Sequence, residues 1–494
     1  MKIVKIITSI SLLALLATSC DKLKDFGDTN VSPNATTIPN TAALLTNVLA
    51  NVSNRASQQN PGYFCQYFSE TQYPGISLYS LPQFDMDVIY AGAMYDCQNI
   101  INTNTDVTTA SLAAANGSNI NQIAIATILR SYYYWTITDA WGDIPYTEAL
   151  TIINTTPKFD KQEDVYKGVI ADLTSAVDKL DVNGATVKGD IAFNGNVENW
   201  KKVGNSIKLL MALRLSKKFP GASEYAATQF KAAFAHPAGT IDVVADNFSL
   251  KYPGGNLISP WFAAYNNRDD LGESLPMVTL LNGLGDQRQS VYGSNVNGVP
   301  YGRDRATFMN TWFAANITTY AKVLSNTNRS ADAKVYIVHA AAVLLAKAEA
   351  TELGWISGIP AATYYANAIA ESYAQWNLPA ASVSSYIANP LVVYTGTTAE
   401  KIAKIALQRY IALYPDGLQG WCEWRRTGVP ALTPAQNSVN TGGQIPRRFV
   451  YGNNDYNTNG ASVRAAAAAI PLPTPTPAGA TAGDTQNGRV WWDQ

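Results

Sequence analysis

Apolar residues recur at every third or fourth position in three separated stretches of this chain, a spacing that commits it to helices with one buried face. Within 199–217 the stripe is Trp200, Val203, Ile207 and Leu210; within 160–180 it is Val165, Val169, Ala176, Val177 and Leu180; within 332–353 it is Val335, Val338, Ala342 and Leu345. Helix starts are marked as well. Asp160 with Glu163, and Thr397 with Glu400, have the spacing of reciprocal caps, the second opening a helix that runs to about Leu413. Less sharply marked helices are expected at 41–57, 84–104 and 120–139.

Short polar loops join several of these stretches, so antiparallel helix pairs are the expected unit. Ala348, Gly354, Tyr365 and Ala366 resemble the small/aromatic alternation of a tetratricopeptide (TPR) pair, while no period of about 34 residues runs along the chain. The expected fold class is mainly α. TPR-like pairs form a helical scaffold, mainly over 41–235 and 332–413, and loop-rich irregular subregions at 236–331 and 414–494 pack on it in a single domain, 41–494. Gly, Asn and Pro interrupt the pattern in those two subregions, and loops of such length in a compact protein usually carry function. The second subregion ends in RVWWDQ after a Pro/Thr/Ala-rich piece, and two tryptophans there are expected to dock back on the body.

The first twenty residues, MKIVKIITSISLLALLATSC, place Lys2 and Lys5 before an apolar run from Ile6 to Ala17, with Thr18 and Ser19 leading into Cys20. The run is too short to cross a bilayer, so 1–19 reads as an export signal. A cysteine directly after small residues is what a bacterial lipoprotein signal requires, which makes Cys20 the expected lipidation site. Several acyl chains would hold it stably where one would be marginal. Residues 20–40, polar and rich in Asn, Pro and Thr, read as a flexible tether.

Composition removes several function classes. A formal net charge of −1 gives no basic face for a nucleic acid. After Cys20 only Cys65, Cys97 and Cys422 remain, an odd number without CxxC spacing, so no disulfide framework is expected, although one pair could form. A zinc site or a Ser/His/Asp triad would have to use His236 or His339, and neither GxSxG nor HExxH surrounds them, so both read as structural. No cofactor or metal is expected, though the Asn/Asp-rich loops leave room for a structural calcium ion. DYNTNG (455–460) matches the first half of an EF-hand loop but has Ala466 where the bidentate Glu belongs.

Tyr and Trp, 27 and 11 against 14 Phe, pair an apolar face with a polar edge and suit a binding surface. The candidates for ligand contact are Tyr73 and Tyr79, after the first helices, Trp141 at a helix end, and Trp261 and Trp312 in the loop-rich middle. In TDAWGDIPYTEAL (138–150) the helix is expected to stop at Gly142 and the chain to turn at Pro145. Asp143 and Glu148 there are the best pair for glycosidase chemistry, yet five residues apart on a turn they read as turn or ligand rim. Arg425 and Arg426, set among tryptophans in WCEWRRTGVP (421–430), read as structural.

Several segments together resemble the SusD/RagB family of outer-membrane nutrient-binding lipoproteins, in its SusD-like 2 branch. They are the lipoprotein start with DTNVSPNATT, then TDAWGDIPYTEAL, GDIAFNGNVENWKKVGNSIKLLMALRLSKK, AKAEATELGW, EKIAKIALQRYIALYPDGLQGWCEWRRTGVP, IPRRFVYGNNDYNTN and the terminal RVWWD. Three positions depart from the family's pattern: Asp-Pro-Arg reads Asp286-Gln287-Arg288, Gln-Lys-Trp reads Gln408-Arg409-Tyr410, and an acidic residue is replaced by Ala342. The resemblance implies a right-handed α/α superhelix and a surface lipoprotein of Bacteroidetes-type bacteria, anchored in the outer membrane. It also implies a lid on a SusC-like TonB-dependent barrel that captures an oligosaccharide or peptide and makes or breaks no covalent bond. A surface glycoside hydrolase using Asp143 or Glu148, and a TPR-type protein-interaction scaffold, are the alternatives.

Overall fold

In a computed structural model, which describes residues 38–81, 84–151 and 153–494, the long helices pack mostly against their neighbours in chain order. The expected signal 1–19, Cys20 and the tether as far as residue 37 lie outside the described residues. The chain opens with α1 (Thr41–Ala56) and the short α2 (Gln59–Phe64). It continues through α3 (Tyr95–Thr105), α4 (Asn119–Trp141), α5 (Gln162–Lys179), α6 (Val197–Arg214) and α7 (Tyr225–Phe234). From α3 to α7 each helix packs on the next. A loop-rich excursion intervenes, and the chain returns as α8 (Ala340–Glu352), α9 (Ala361–Gln375), α10 (Thr398–Leu413) and α11 (Gly417–Thr427). α8 packs on α9, α10 and α6, and α11 packs on α10 and α2, so the late helices close onto the early ones. Residues Thr41–Gln494 form one compact unit, mainly helical, as the stripes require.

The stripes fold where the sequence marks them. Trp200, Val203 and Ile207 are fully buried in α6, whose first turn is capped by Asn196 Oδ1 accepting from Asn199 N at 3.1 Å. Thr397 and Glu400 form the expected reciprocal cap of α10: Thr397 N donates to Glu400 Oε2 at 2.7 Å and Glu400 N to Thr397 Oγ1 at 3.3 Å. α4 stops at Gly142, whose φ of 98° is open to glycine and costly for other residues.

Three expectations change. Asp160 does not cap α5; its carboxylate takes Thr147 N at 2.7 Å and Tyr146 N at 3.2 Å across the ribbon β2 (Ile144–Pro145) and β3 (Phe159–Asp160), and Asp143 Oδ1 accepts the Gln162 amide at 2.9 Å in its place. Val335 and Val338 lie in a strand, Lys334–Val338, which pairs antiparallel with Phe248–Lys251 before α8 begins. The helix expected at 84–104 is broken by a π turn at Tyr90–Met94, where Gly92 takes φ −94° and ψ −116°. Cys65, Cys97 and Cys422 are buried free thiols.

Where α8, α10 and α11 meet, four charges are buried together. Arg409 Nη2 lies 3.0 Å from Glu349 Oε2 and 2.7 Å from Glu423 Oε1, while Arg426 reaches Glu349 at 2.6 Å and Glu423 at 3.0 Å. Burial alone would raise the Glu423 carboxyl; Arg409 and Arg426 override it and hold it below the usual range. Next to them the Arg425 guanidinium is sandwiched between Trp421, 3.8 Å from its ring centre, and Trp492, 4.7 Å away. Trp492 is fully buried and donates from Nε1 to Asp139 Oδ1 at 2.8 Å, so the terminal tryptophan docks as expected.

Removing one member of this quartet strands a charge in the core. Glu349→Ala is expected to lower unfolding free energy by about 3–5 kcal/mol, whereas Lys167→Ala, which breaks the exposed 2.6 Å pair with Glu163, should cost less than about 0.5 kcal/mol in the same urea titration.

Candidate ligand-binding cleft

The loop-rich segments are fastened to the scaffold by a short ribbon in which β1 (Phe68–Glu70) pairs antiparallel with Leu271–Glu273, Phe68 opposite Glu273. Ser274, the next residue, caps the helix Leu275–Gly283 by accepting from Met277 N at 3.2 Å, and its own amide donates to Tyr67 O at 3.0 Å. Ser69 Oγ donates to Pro300 O at 2.7 Å, and Gln66 Nε2 donates to Thr433 O at 2.6 Å. One ribbon thus holds three loops around a common space.

That space is a cleft of about 700 Å³. Leu275, Pro276, Thr279 and Leu280 form one wall, Pro300, Tyr301, Arg303 and Phe308 a second, and the run Pro430–Pro434 with Gln436 a third; Gln66 and Tyr410 lie among them. Apolar residues predominate, with a few polar groups among them, which is the usual make-up of a site for an organic ligand. The cleft beside Asp143 is about half that size, about 340 Å³. Arg303 lies 4.0 Å from the centre of the Phe308 ring, and Arg305 lies 4.5 Å from that of Tyr73. Each pair offers a flat surface with a hydrogen-bonding edge.

Behind the walls, Tyr79 takes a left-handed conformation, φ 65°, and its hydroxyl accepts from Ala435 N at 2.9 Å and lies 3.3 Å from the Tyr301 hydroxyl. Tyr301 in turn donates to Tyr63 O at 2.6 Å. Burial raises both phenols, so they stay neutral and bonded at any physiological pH.

Of the five residues expected to touch a ligand, Tyr73 is 54% exposed, and Trp312 is half-buried on the helix Asn310–Asn316 against Met309, Phe313 and Tyr320. The other three are corrected to interior roles, each at most 2% exposed. Trp141 donates from Nε1 to Val450 O at 3.0 Å and packs edge-on against Phe449. Trp261 packs against Phe68, and Tyr79 braces the cleft from inside. Sequence reasoning missed Tyr301, Arg303, Phe308 and the 430–436 wall; an aromatic–Arg alternation at 301–308, inside a segment already marked as loop, was the available signal. Asp143 and Glu148 both hold local structure: Asp143 caps α5, and Glu148 Oε2 accepts from the Asn154 side chain (Nδ2) at 3.0 Å and from Lys158 N at 3.1 Å.

Among the described residues no group of three or more His, Cys, Asp or Glu side chains could hold a metal ion, and no helix is long and apolar enough to cross a membrane. The family model SusD-like 2, described as starch-binding and associating with the outer membrane, matches residues 33–452. The chain belongs to the SusD-like 2 family. Solved structures similar to it include one named a chitin-binding protein, 26% identical with a TM-score of 0.74, covering 92% of this chain and 100% of that one. A chitin-binding SusD homologue from Flavobacterium johnsoniae is 21% identical with a TM-score of 0.77, covering 92% and 99%, and a SusD homologue from Bacteroides uniformis is 23% identical with a TM-score of 0.75, covering 91% and 99%. Comparison with curated proteins gave no match.

Two departures of this SusD-like 2 chain from its family's pattern have local explanations. Arg288 still pairs with Asp286 at 2.5 Å in the core, and the amide that Gln287 has and a proline would lack donates to Tyr373 Oη at 3.4 Å. Arg409, in place of a lysine, supplies the planar fork that bridges Glu349 and Glu423.

The ribbon behind the cleft carries its own pH dependence. Glu273 is buried, accepts from Gln289 Nε2 at 2.8 Å, has no hydrogen-bond partner for Oε1 among the described residues, and burial pushes its carboxyl up to about 8. In the unfolded chain it titrates near its ordinary value of 4.5, so folding takes up a proton between the two, and stability falls as pH rises through that window. Glu273→Gln removes the proton uptake. It is expected to raise Tm at pH 8 relative to the wild type and to change it little at pH 4.5, by calorimetry at both values.

Proposed function

We propose that this protein is a non-catalytic, lipid-anchored capture protein for an oligosaccharide at the outer membrane, and that the cleft between Leu275, Phe308 and Pro434 is its binding site. The single observation that carries the reading is the lining: apolar and aromatic faces with Arg303, Gln66, Gln436 and threonine hydroxyls between them, and no carboxylate or imidazole. Sugars present C–H patches and hydroxyls together, which such a surface matches, while hydrolysis needs a carboxylate pair that the lining does not supply. The starch-binding description of the family and the chitin-binding names of two similar structures support a glycan over a peptide. Cys20 would carry the lipid, and a SusC-like TonB-dependent barrel would receive the glycan from this chain acting as its lid.

The test is calorimetric titration of the mature chain with chitin- and starch-derived oligosaccharides. One of the two is expected to bind. Replacing Phe308 and Arg303 together with Ala should weaken it about tenfold, since an aromatic or guanidinium face in contact with the ligand contributes about 0.5–1.5 kcal/mol, and should leave Tm nearly unchanged. Tyr79→Phe, which deprives Ala435 N–H of its acceptor, should weaken binding and also lower stability by about 1–3 kcal/mol. Unchanged affinity in the double variant would move the site elsewhere; glycan turnover by the wild type would restore the hydrolase reading.

A further inference from the structure

Beside the buried quartet lies a second, much smaller cavity of about 30 Å³. Its polar lining is Trp135 of α4, Arg214 of α6, His339 before α8, Arg409 of α10 and Gln419 of α11, together with Glu423 and Arg426 of the quartet, the Glu423 carboxylate being taken up by Arg409 and Arg426; all are buried. Each of the first five has one nitrogen without a hydrogen-bond partner among the described residues: Trp135 Nε1, Arg214 Nη1, His339 Nδ1, Arg409 Nη1 and Gln419 Nε2. The Gln419 amide is oriented by its neighbour, because Arg214 Nη2 donates to Oε1 at 2.7 Å and a flipped amide would set donor against donor. Four of the five nitrogens can only donate. A water molecule accepts two hydrogen bonds; an anion accepts from all four.

The local charge balance points the same way. Buried Arg55, Arg214, Arg409, Arg425 and Arg426 face four buried carboxylates, Asp139, Glu349, Asp416 and Glu423. Arg425 bonds to the carbonyl oxygens of Arg447 and Asp139 and to Cys422 Sγ, none of them charged acceptors. One positive charge is left over in a region where an uncompensated ion costs several kcal/mol. Asp139 Oδ2, also without a hydrogen bond, sits 3.6 Å from Arg214 Nε, and Asp139 is not among the lining residues.

We infer that this cavity is a structural site for one monovalent anion of halide size, held by Arg214, Arg409, Gln419 and Trp135. About 10–15 Å³ on the same measure admits a water, so the cavity takes a single ion slightly larger than water and excludes a sugar. His339, which burial lowers to about 4 and so keeps neutral at physiological pH, can add its Nδ1–H. The ion would pin α4, α6, α10 and α11 around one point, independently of what the cleft binds.

Two measurements on the mature chain test this. Crystals grown with sodium bromide in place of chloride should show an anomalous peak at the bromine edge, in contact with Arg214 Nη1 and Arg409 Nη1. In solution, replacing chloride with gluconate, too large to enter, should lower Tm by about 2–4 °C. Gln419→Glu keeps the shape and supplies the negative charge covalently, so it should lose both the bromide peak and the chloride dependence. No anomalous peak in the wild type at saturating bromide, meaning water only, overturns the inference whether or not the variant folds. Equal chloride dependence in wild type and Gln419→Glu overturns it as well.

Discussion

Two carboxylates and two guanidinium groups buried at one point set the register of the late helices. Glu349, Arg409, Glu423 and Arg426 come from three helices, and each carboxylate meets each guanidinium group at 3.0 Å or less. Sliding α10 by one turn, about 5.4 Å, would take Arg409 out of reach of both carboxylates and leave three charges without water. Apolar residues of the same volume could match the stability of such a cluster, but they would accept neighbouring registers that the planar forks refuse. The neighbouring and downstream segments inherit the setting: Arg425 is placed for its stack with Trp492, Tyr410 for the cleft, and the chain leaves Thr427 toward the Pro430–Pro434 wall.

Local signals in the sequence were legible where the structure uses them locally. The stripe of α6, the Thr397–Glu400 cap and the stop at Gly142 involve residues within a few positions of one another, and the physics that forms them is complete at that range. Val335 and Val338 show the limit. Three residues apart in KVYIV, they satisfy a helical stripe, yet β-branched residues beside a partner strand do better extended, and Phe248–Lys251 lies almost ninety positions away. Asp160 shows another. Its expected partner is three residues off, but the turn at 144–147 presents two amides and a hydroxyl to the same carboxylate, and three donors outweigh one.

The cleft was less legible, for two physical reasons. Residue type pointed toward Trp141 and Trp261, but a tryptophan carries the largest apolar surface in the chain and gains most by leaving water, so both went to the interior. The walls, in turn, come from segments whose association no local pattern records. Gln66 meets Thr433, Ser69 meets Pro300 and Tyr79 meets Ala435 across gaps of 367, 231 and 356 residues. Only loop composition hinted that these stretches mattered.

Those same contacts separate what holds the cleft from what faces into it. Pro300 and Thr433 are fastened through their carbonyl oxygens and Ala435 through its amide, groups every residue except proline possesses in full. The side chains of Arg303, Phe308, Thr433 and Gln436 therefore carry little of the fastening and can change with the loop still in place. Gln66, Tyr79 and Ser69 are less free, because the fastening bonds run through their side chains, and Tyr79 also depends on a left-handed backbone that tolerates few replacements. A scaffold fixed by buried charge and loops fixed by backbone bonds leave a handful of exposed side chains in the cleft free to vary. The ligand a protein of this architecture accepts can then shift by substitutions that leave its stability almost untouched.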